Sequence, residues 1–237
     1  MARPNGVFIA SDRFWAFARL DGDVVEGAMP APPRIVRALP LLRGLTRLAL
    51  ALSPVVRRTG AARRSERIVF LAALVLPFCL VFAPGWMTLA AGSLMTVVLL
   101  AMLFRGRTLS LHGAEHRAIA AAEERLLTQT WEGLALPSRF SLRCGTNFAA
   151  LAAPVTVLAD RLWPLPAAVW TPAAVAVLSL ALTMELWQAV QASGNSLARV
   201  FLLPGLALQR LTTQEPSLDE TRVALRAVES VLSRELA

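Results

Sequence analysis

Two nearly uninterrupted apolar runs, Ile68 to Phe82 and Trp86 to Phe104, are separated only by Ala83-Pro84-Gly85. With its flanks, each run approaches the length needed to cross a hydrocarbon core of roughly 30 Å. Three residues between them leave room only for a tight turn, so the pair reads as an antiparallel hairpin of membrane-spanning helices. A third run extends from Asn147 to Ala159 and stops at Asp160-Arg161, and a fourth extends from Leu165 to Val190 with Pro166 and Pro172 near its start. The third is short, and tilt or snorkelling flanks would accommodate it.

Composition supports a membrane chain over a soluble one: 56% of the residues are hydrophobic and 17% charged, against about half and a quarter in soluble domains. The net charge of +8 is carried by arginine alone, without a single lysine. Such basicity can mark nucleic-acid binding, but the arginines cluster by topology. Arg57, Arg58, Arg63, Arg64 and Arg67 precede the first run. Arg105, Arg107, Arg117, Arg125, Arg139 and Arg143 lie between the second and third, and Arg199, Arg210, Arg222, Arg226 and Arg234 follow the fourth. The two opposite connections contain only Arg161. Because cytoplasmic loops are enriched in basic residues, four spans with both termini and the central loop in the cytoplasm satisfy every segment. The expected partner is the lipid bilayer, with anionic headgroups favoured, and no nucleic acid.

The remaining segments are cytoplasmic elaborations. Asp21-Gly22, flanked by Phe14 to Leu20 and Asp23 to Glu26, predicts a β-hairpin. The stretch Ile35 to Val56 is apolar but interrupted by Arg37, Arg43 and Arg47, which at mid-bilayer would each cost roughly 2.5–3.5 kcal/mol; it reads as an amphipathic interfacial or re-entrant helix. Ser217 can cap a terminal helix reaching Leu232. The N-terminus lacks the apolar core of a secretory signal, and two cysteines, Cys79 and Cys144, are too few for a disulfide framework. The fold class is therefore mainly α, an integral membrane protein with four spans, an N-terminal β-hairpin and amphipathic helices. Its segments are 1–34 (hairpin), 35–67 (amphipathic helix and basic linker), 68–104 (first helix pair), 105–146 (central loop), 147–190 (second pair) and 191–237 (tail).

The chemistry-bearing residues gather in the central loop. His112 and His116, the only histidines, share one face of a helix with Glu115 and Glu123, because steps of three, four and eleven return near the starting direction. Imidazoles and carboxylates are ligand types for a divalent transition metal, with zinc first among them. Cys144, where the chain re-enters the membrane, can add a thiolate or serve as a small packing residue. A wet helix face carrying His, Glu and Arg is the alternative, and the H-x-x-E-H order of the inverted zinc proteases is too short to establish peptidase activity. Glu185, near the end of the fourth run, needs a partner or a cavity, or else sits at the interface beside Trp187.

Together, His112-Gly113-Ala114-Glu115-His116, Arg143-Cys144-Gly145-Thr146-Asn147-Phe148, Glu185, Pro204-Gly205-Leu206 and Gln209-Arg210-Leu211-Thr212-Thr213-Gln214-Glu215-Pro216 resemble the YqhQ-like family of bacterial membrane proteins, and so does Leu39-Pro40-Leu41-Leu42-Arg43-Gly44. The resemblance implies a bacterial inner-membrane protein of unknown function, described as a metal-dependent enzyme. It adds Arg143, Glu185 and Gln209 to the candidate site and places Arg143 beside Cys144, facing that site. Three positions depart from the family pattern: Ser141 stands for a histidine, Asn5 for an acid and Arg222 for a glutamate. Either the ligand set is reduced or the scaffold has outlived the reaction. The functional alternatives are thus a metal-dependent enzyme of unknown substrate and a non-catalytic scaffold subunit of a larger membrane complex or homo-oligomer; a transporter is weaker, since the spans show no pathway of charges.

Overall fold

The structure, a computed structural model, describes every residue except 58, 60, 61, 81, 82, 167 and 194–196, and gives only the backbone at 34, 37, 77, 78, 197 and 198. Among the described residues the chain is mainly helical behind a four-stranded sheet, and it divides into two compact units, residues 1–31, 102–144 and 206–237 in one and residues 32–101 and 145–205 in the other.

The first unit opens with β1 (Ala2–Arg3), β2 (Gly6–Ala10), β3 (Phe14–Arg19) and β4 (Val24–Ala28), an antiparallel meander in chain order. The hairpin expected at Asp21-Gly22 is the β3–β4 pair. Gly22 takes a φ of +102° there, and the Arg19 N–H donates to the Asp23 carbonyl at 2.8 Å, a conformation that suits glycine. The sequence reading stopped at two strands; β1 and β2 precede them, with Val7 paired to Ala18 and Ile9 to Ala16. Those four side chains share one face of the sheet, because alternate residues point the same way. They pack against Leu111, Ala114, Ala118 and Ala121 of α5 (Thr108–Glu123) and Val223, Ala224, Ala227, Val228 and Val231 of α10 (Leu218–Leu236). Alanine on all three elements lets them approach closely. The predicted terminal helix is α10, and its start is a capping box: the Glu220 N–H donates to Ser217 Oγ at 3.2 Å, and the Ser217 N–H donates to Glu220 Oε2 at 2.9 Å. Also in this unit are α6 (Leu127–Glu132) and most of α9 (Leu203–Thr212). Gly113 permits the passage of the chain after α9, since a Cβ there would lie 2.2 Å from the Gln214 carbonyl oxygen.

The second unit holds α1 (Arg34–Ala38), α2 (Leu42–Val56), α3 (Arg64–Cys79), α4 (Gly85–Leu103), α7 (Gly145–Arg161), α8 (Thr171–Ala192) and a 3-10 helix, Leu197–Leu202. The single amphipathic helix expected over 35–56 is instead two helices. Pro40 disfavours helical backbone at the residue before it, Leu39 is extended, and Leu41 carries a φ of 67°. Two helices, α4 with 19 residues and α8 with 22, are long and apolar enough to cross a membrane. The former two runs of the expected four differ from these: α3 spans 16 residues and begins with Arg64, Glu66 and Arg67, while α7 contains Pro154 and ends on Asp160 and Arg161. The turn of the expected first hairpin includes Val81 and Phe82, outside the described residues, as is Arg58 of the basic run. α7 packs along α8, with Phe148 edge-on to Trp187 at 6.0 Å.

Candidate metal centre

The centre is built from α5 and the loop that follows α6. Residues 112 and 116 lie four apart on α5 and so stack on one helix face; their rings meet edge to face with centroids 4.5 Å apart. Cys144 ends the loop just before α7 and brings its sulfur to 3.3 Å from His112 Nε2. One ligand atom from each of His112, His116 and Cys144 lies within 4.8 Å of the other two. His116 and Cys144 are buried, at 3% and 6% exposure, so the donors face the interior of the unit rather than solvent.

Each imidazole is oriented from behind. His112 Nδ1–H donates to the Thr212 carbonyl at 2.8 Å, and His116 Nδ1–H donates to the Arg139 carbonyl at 2.7 Å. A carbonyl only accepts, so the proton of each neutral ring sits on Nδ1 and the lone pair on Nε2, the tautomer a metal requires. Thr212 is the last residue of α9, whose final carbonyls have no intrahelical donor, and His112 satisfies one of them. The Arg139 carbonyl is held by the neighbouring chain: buried Arg117 donates through Nε to the Pro137 carbonyl at 3.1 Å and through Nη2 to Glu215 Oε1 at 2.6 Å. Fully buried Gln209 clamps the same loop. Its Oε1 accepts the Ser141 N–H at 2.9 Å, and its Nε2 donates to the Ser141 carbonyl at 2.8 Å, an amide pairing like that of adjacent strands.

The electrostatics favour a thiolate. Burial pushes the Cys144 thiol up, but hydrogen bonds from His112 and His116 and their charge outweigh it and bring it from an ordinary 9.0 down to about 5. Burial pushes His112 down, and the Cys144 hydrogen bond and the Glu115 charge more than reverse this, holding the ring above its usual range. The Cys144 contribution to stability is therefore full above the range of an unfolded thiol and is lost as pH falls through about 5. In chelator-treated protein, the ultraviolet thiolate absorbance that disappears in Cys144→Ser is expected to titrate with a midpoint near 5. A midpoint close to that of a free thiol would contradict the geometry.

The other candidate residues fall elsewhere. Glu115 is on the same face of α5, but its Oε1 pairs with the α-amine of Met1, and its Oε2 is buried without a hydrogen-bond partner. Burial pushes its carboxyl up, and the α-amine and the His112 charge pull it below the usual carboxylate range. Glu123, three turns along α5, is half exposed and bound to Arg143 Nη1 at 2.7 Å, and Arg143 itself is exposed. Neither Glu115 nor Glu123 is among the three convergent ligands. Glu185 belongs to the second unit, where its carboxylate takes Arg43 Nε at 2.9 and 3.1 Å and the Leu41 N–H at 3.2 Å. It has the partner that an acid in an apolar helix requires. Sequence reasoning missed Arg117 and the two backbone carbonyls; Arg117 was legible only as the neighbour of His116, and carbonyls leave no residue signature.

No curated protein and no solved structure matches the chain. A family model described as protein of unknown function (DUF1385) matches residues 69–234, a stretch that holds all three convergent ligands and Gln209, and the chain belongs to that family.

Proposed function

We propose that this chain is a multi-pass membrane protein whose His112, His116 and Cys144 hold one divalent metal ion, zinc foremost, and that it acts as a metal-dependent enzyme through a coordination position left open for substrate. The observation that carries this reading is the convergence of three ligand atoms behind which both Nδ1 atoms are already bound to carbonyls. Two imidazoles and a thiolate suit zinc. Three protein ligands, with no fourth His, Cys, Asp or Glu joining the group among the described residues, match the pattern of catalytic zinc sites, whereas structural sites supply four. A divalent ion held there supplies Lewis-acid polarisation of a substrate oxygen. Glu115, close enough to feel the charge of both rings and with one oxygen unpartnered, is the adjacent acceptor.

The open position has its own test. Cobalt(II) exchanged into the purified chain gives a visible spectrum sensitive to coordination, and added thiocyanate is expected to shift it. A spectrum indifferent to thiocyanate would mean a closed shell and would overturn the enzyme reading.

The membrane part of the proposal is four passes over 68–82, 86–104, 147–159 and 165–190, with both termini and 105–146 in the cytoplasm of a bacterial cell and the chain in its inner membrane, as in a YqhQ-like protein. The distribution of arginines and the length of α4 and α8 support it. One observation favours a second reading, a non-catalytic subunit of a larger membrane complex or homo-oligomer: α4 buries none of its residues, leaving apolar surface for lipid or a neighbouring chain. Recovery of a monomer alone from gentle detergent would dispose of it. Nucleic acid has no part in either reading.

A further inference from the structure

The α7–α8 pair carries a second concavity within its own unit. A groove of about 370 Å³ is lined by Leu158, Leu162 and Trp163 on one side and Leu178, Leu182 and Leu186 on the other. That volume lies at the lower end of small-molecule sites. Along α8 the lining runs from Leu178 to Leu186, about 12 Å at 1.5 Å per residue, so the groove is elongated. Leu158, Leu162, Leu182 and Leu186 are all exposed, so the groove opens outward from the helix pair. One polar group interrupts the lining: the indole Nε1–H of Trp163, which is buried and has no hydrogen-bond partner. Buried indoles ordinarily find one. Trp163 also packs edge-on against Trp170 at 6.0 Å in the connection between the two helices, and paired tryptophans at a helix connection mark the level where hydrocarbon gives way to headgroups.

We propose that this groove binds one lipid acyl chain, with the Trp163 indole N–H donating to the ester carbonyl of that chain. The inference rests on the membrane reading above and is independent of the metal centre. An elongated, outward-opening aliphatic groove matches a hydrocarbon tail, and a single donor beside the helix connection matches the one acceptor that such a tail carries at its headgroup end. Ordinary annular lipid would need neither the concavity nor the donor.

The test is lipid retention by native mass spectrometry on the full chain, reconstituted in dioleoyl phosphatidylglycerol nanodiscs and released under graded activation. The wild-type chain is expected to keep one lipid at energies that strip the rest. Ala159→Trp, which fills the groove, is expected to lower that retention at least tenfold, while Leu89→Trp on the exposed α4 surface leaves it intact. Trp163→Phe, a milder change, is expected to lower retention several-fold for the ester lipid and not for an ether-linked analogue that lacks the carbonyl. Equal retention in Ala159→Trp, equal loss in Leu89→Trp, or no retained lipid in the wild type would overturn the proposal. An alkaline carbonate wash separates the two failures. A chain that stays in the membrane but retains no lipid refutes the groove alone, whereas a chain released by the wash refutes the membrane reading as well.

Discussion

His116→Ala is expected to abolish stoichiometric zinc binding. Loss of a group that merely orients a ligand lowers metal affinity roughly 10–100-fold, so loss of one of three ligands costs at least as much. The substitution also leaves the buried Arg139 carbonyl without its donor, at a cost to stability of about 1–3 kcal/mol, and thermal unfolding would register this separately from binding. Competition against a chromophoric chelator reads the affinity directly. Glu123→Gln is the informative control: its carboxylate lies outside the convergent ligands and pairs with exposed Arg143, a surface contact worth about 0–1 kcal/mol, so zinc affinity should not change. A loss with Glu123→Gln and none with His116→Ala would show that the metal, if bound, uses a different set of groups.

Gln209→Ala is expected to weaken zinc binding about 10–100-fold although its side chain is not among the convergent ligands. Its amide makes two hydrogen bonds to the backbone of Ser141, and the Ser141 segment carries both the Arg139 carbonyl behind His116 and the Cys144 sulfur. Removing the amide strands two backbone groups beside a fully buried position and frees the loop, while His112 and His116 stay on their helix. A purely structural role would lower the melting temperature alone. A positioning role also weakens the cobalt–thiolate charge-transfer band, and Gln209→Glu, which keeps an acceptor for the Ser141 N–H but loses the donor to its carbonyl, should fall between wild type and Gln209→Ala. A melting shift with unchanged affinity and an unchanged band would contradict the positioning role.

The helical half of this site could be read from the sequence because it is local. Four residues separate His112 from His116, and any helix over that segment must stack them. The third ligand is a matter of tertiary structure. Cys144 lies beyond α6 and a loop whose path is set by Gln209 and Arg117, and neither contact has a spacing to betray it. The same limit explains Glu123. Helical geometry puts it on the His112 stripe, but it sits in the last turn of α5 with half its surface exposed, and an arginine takes it. In the second unit, Glu185 and the segment with Arg43 each stood out on their own, one as an acid in an apolar helix and the other as arginines in an apolar stretch. The break at Pro40 brings the Leu41 N–H and the Arg43 guanidinium to the same carboxylate. The sheet shows the contrast once more: Asp21-Gly22 announces β3 and β4 through turn chemistry, while β1 and β2 form only because α5 and α10 supply a surface for Val7 and Ile9 to cover.

The central claim is that His112, His116 and Cys144 bind a metal together, and the zinc-edge X-ray absorption spectrum of the full chain, purified without chelator and checked for metal content, tests it most directly. The account predicts about one zinc per chain, with one sulfur near 2.3 Å and two imidazole nitrogens near 2.0–2.1 Å in the first shell, the sulfur contribution vanishing in Cys144→Ser. A chain that neither retains zinc nor takes it up, or a first shell without sulfur, would contradict it.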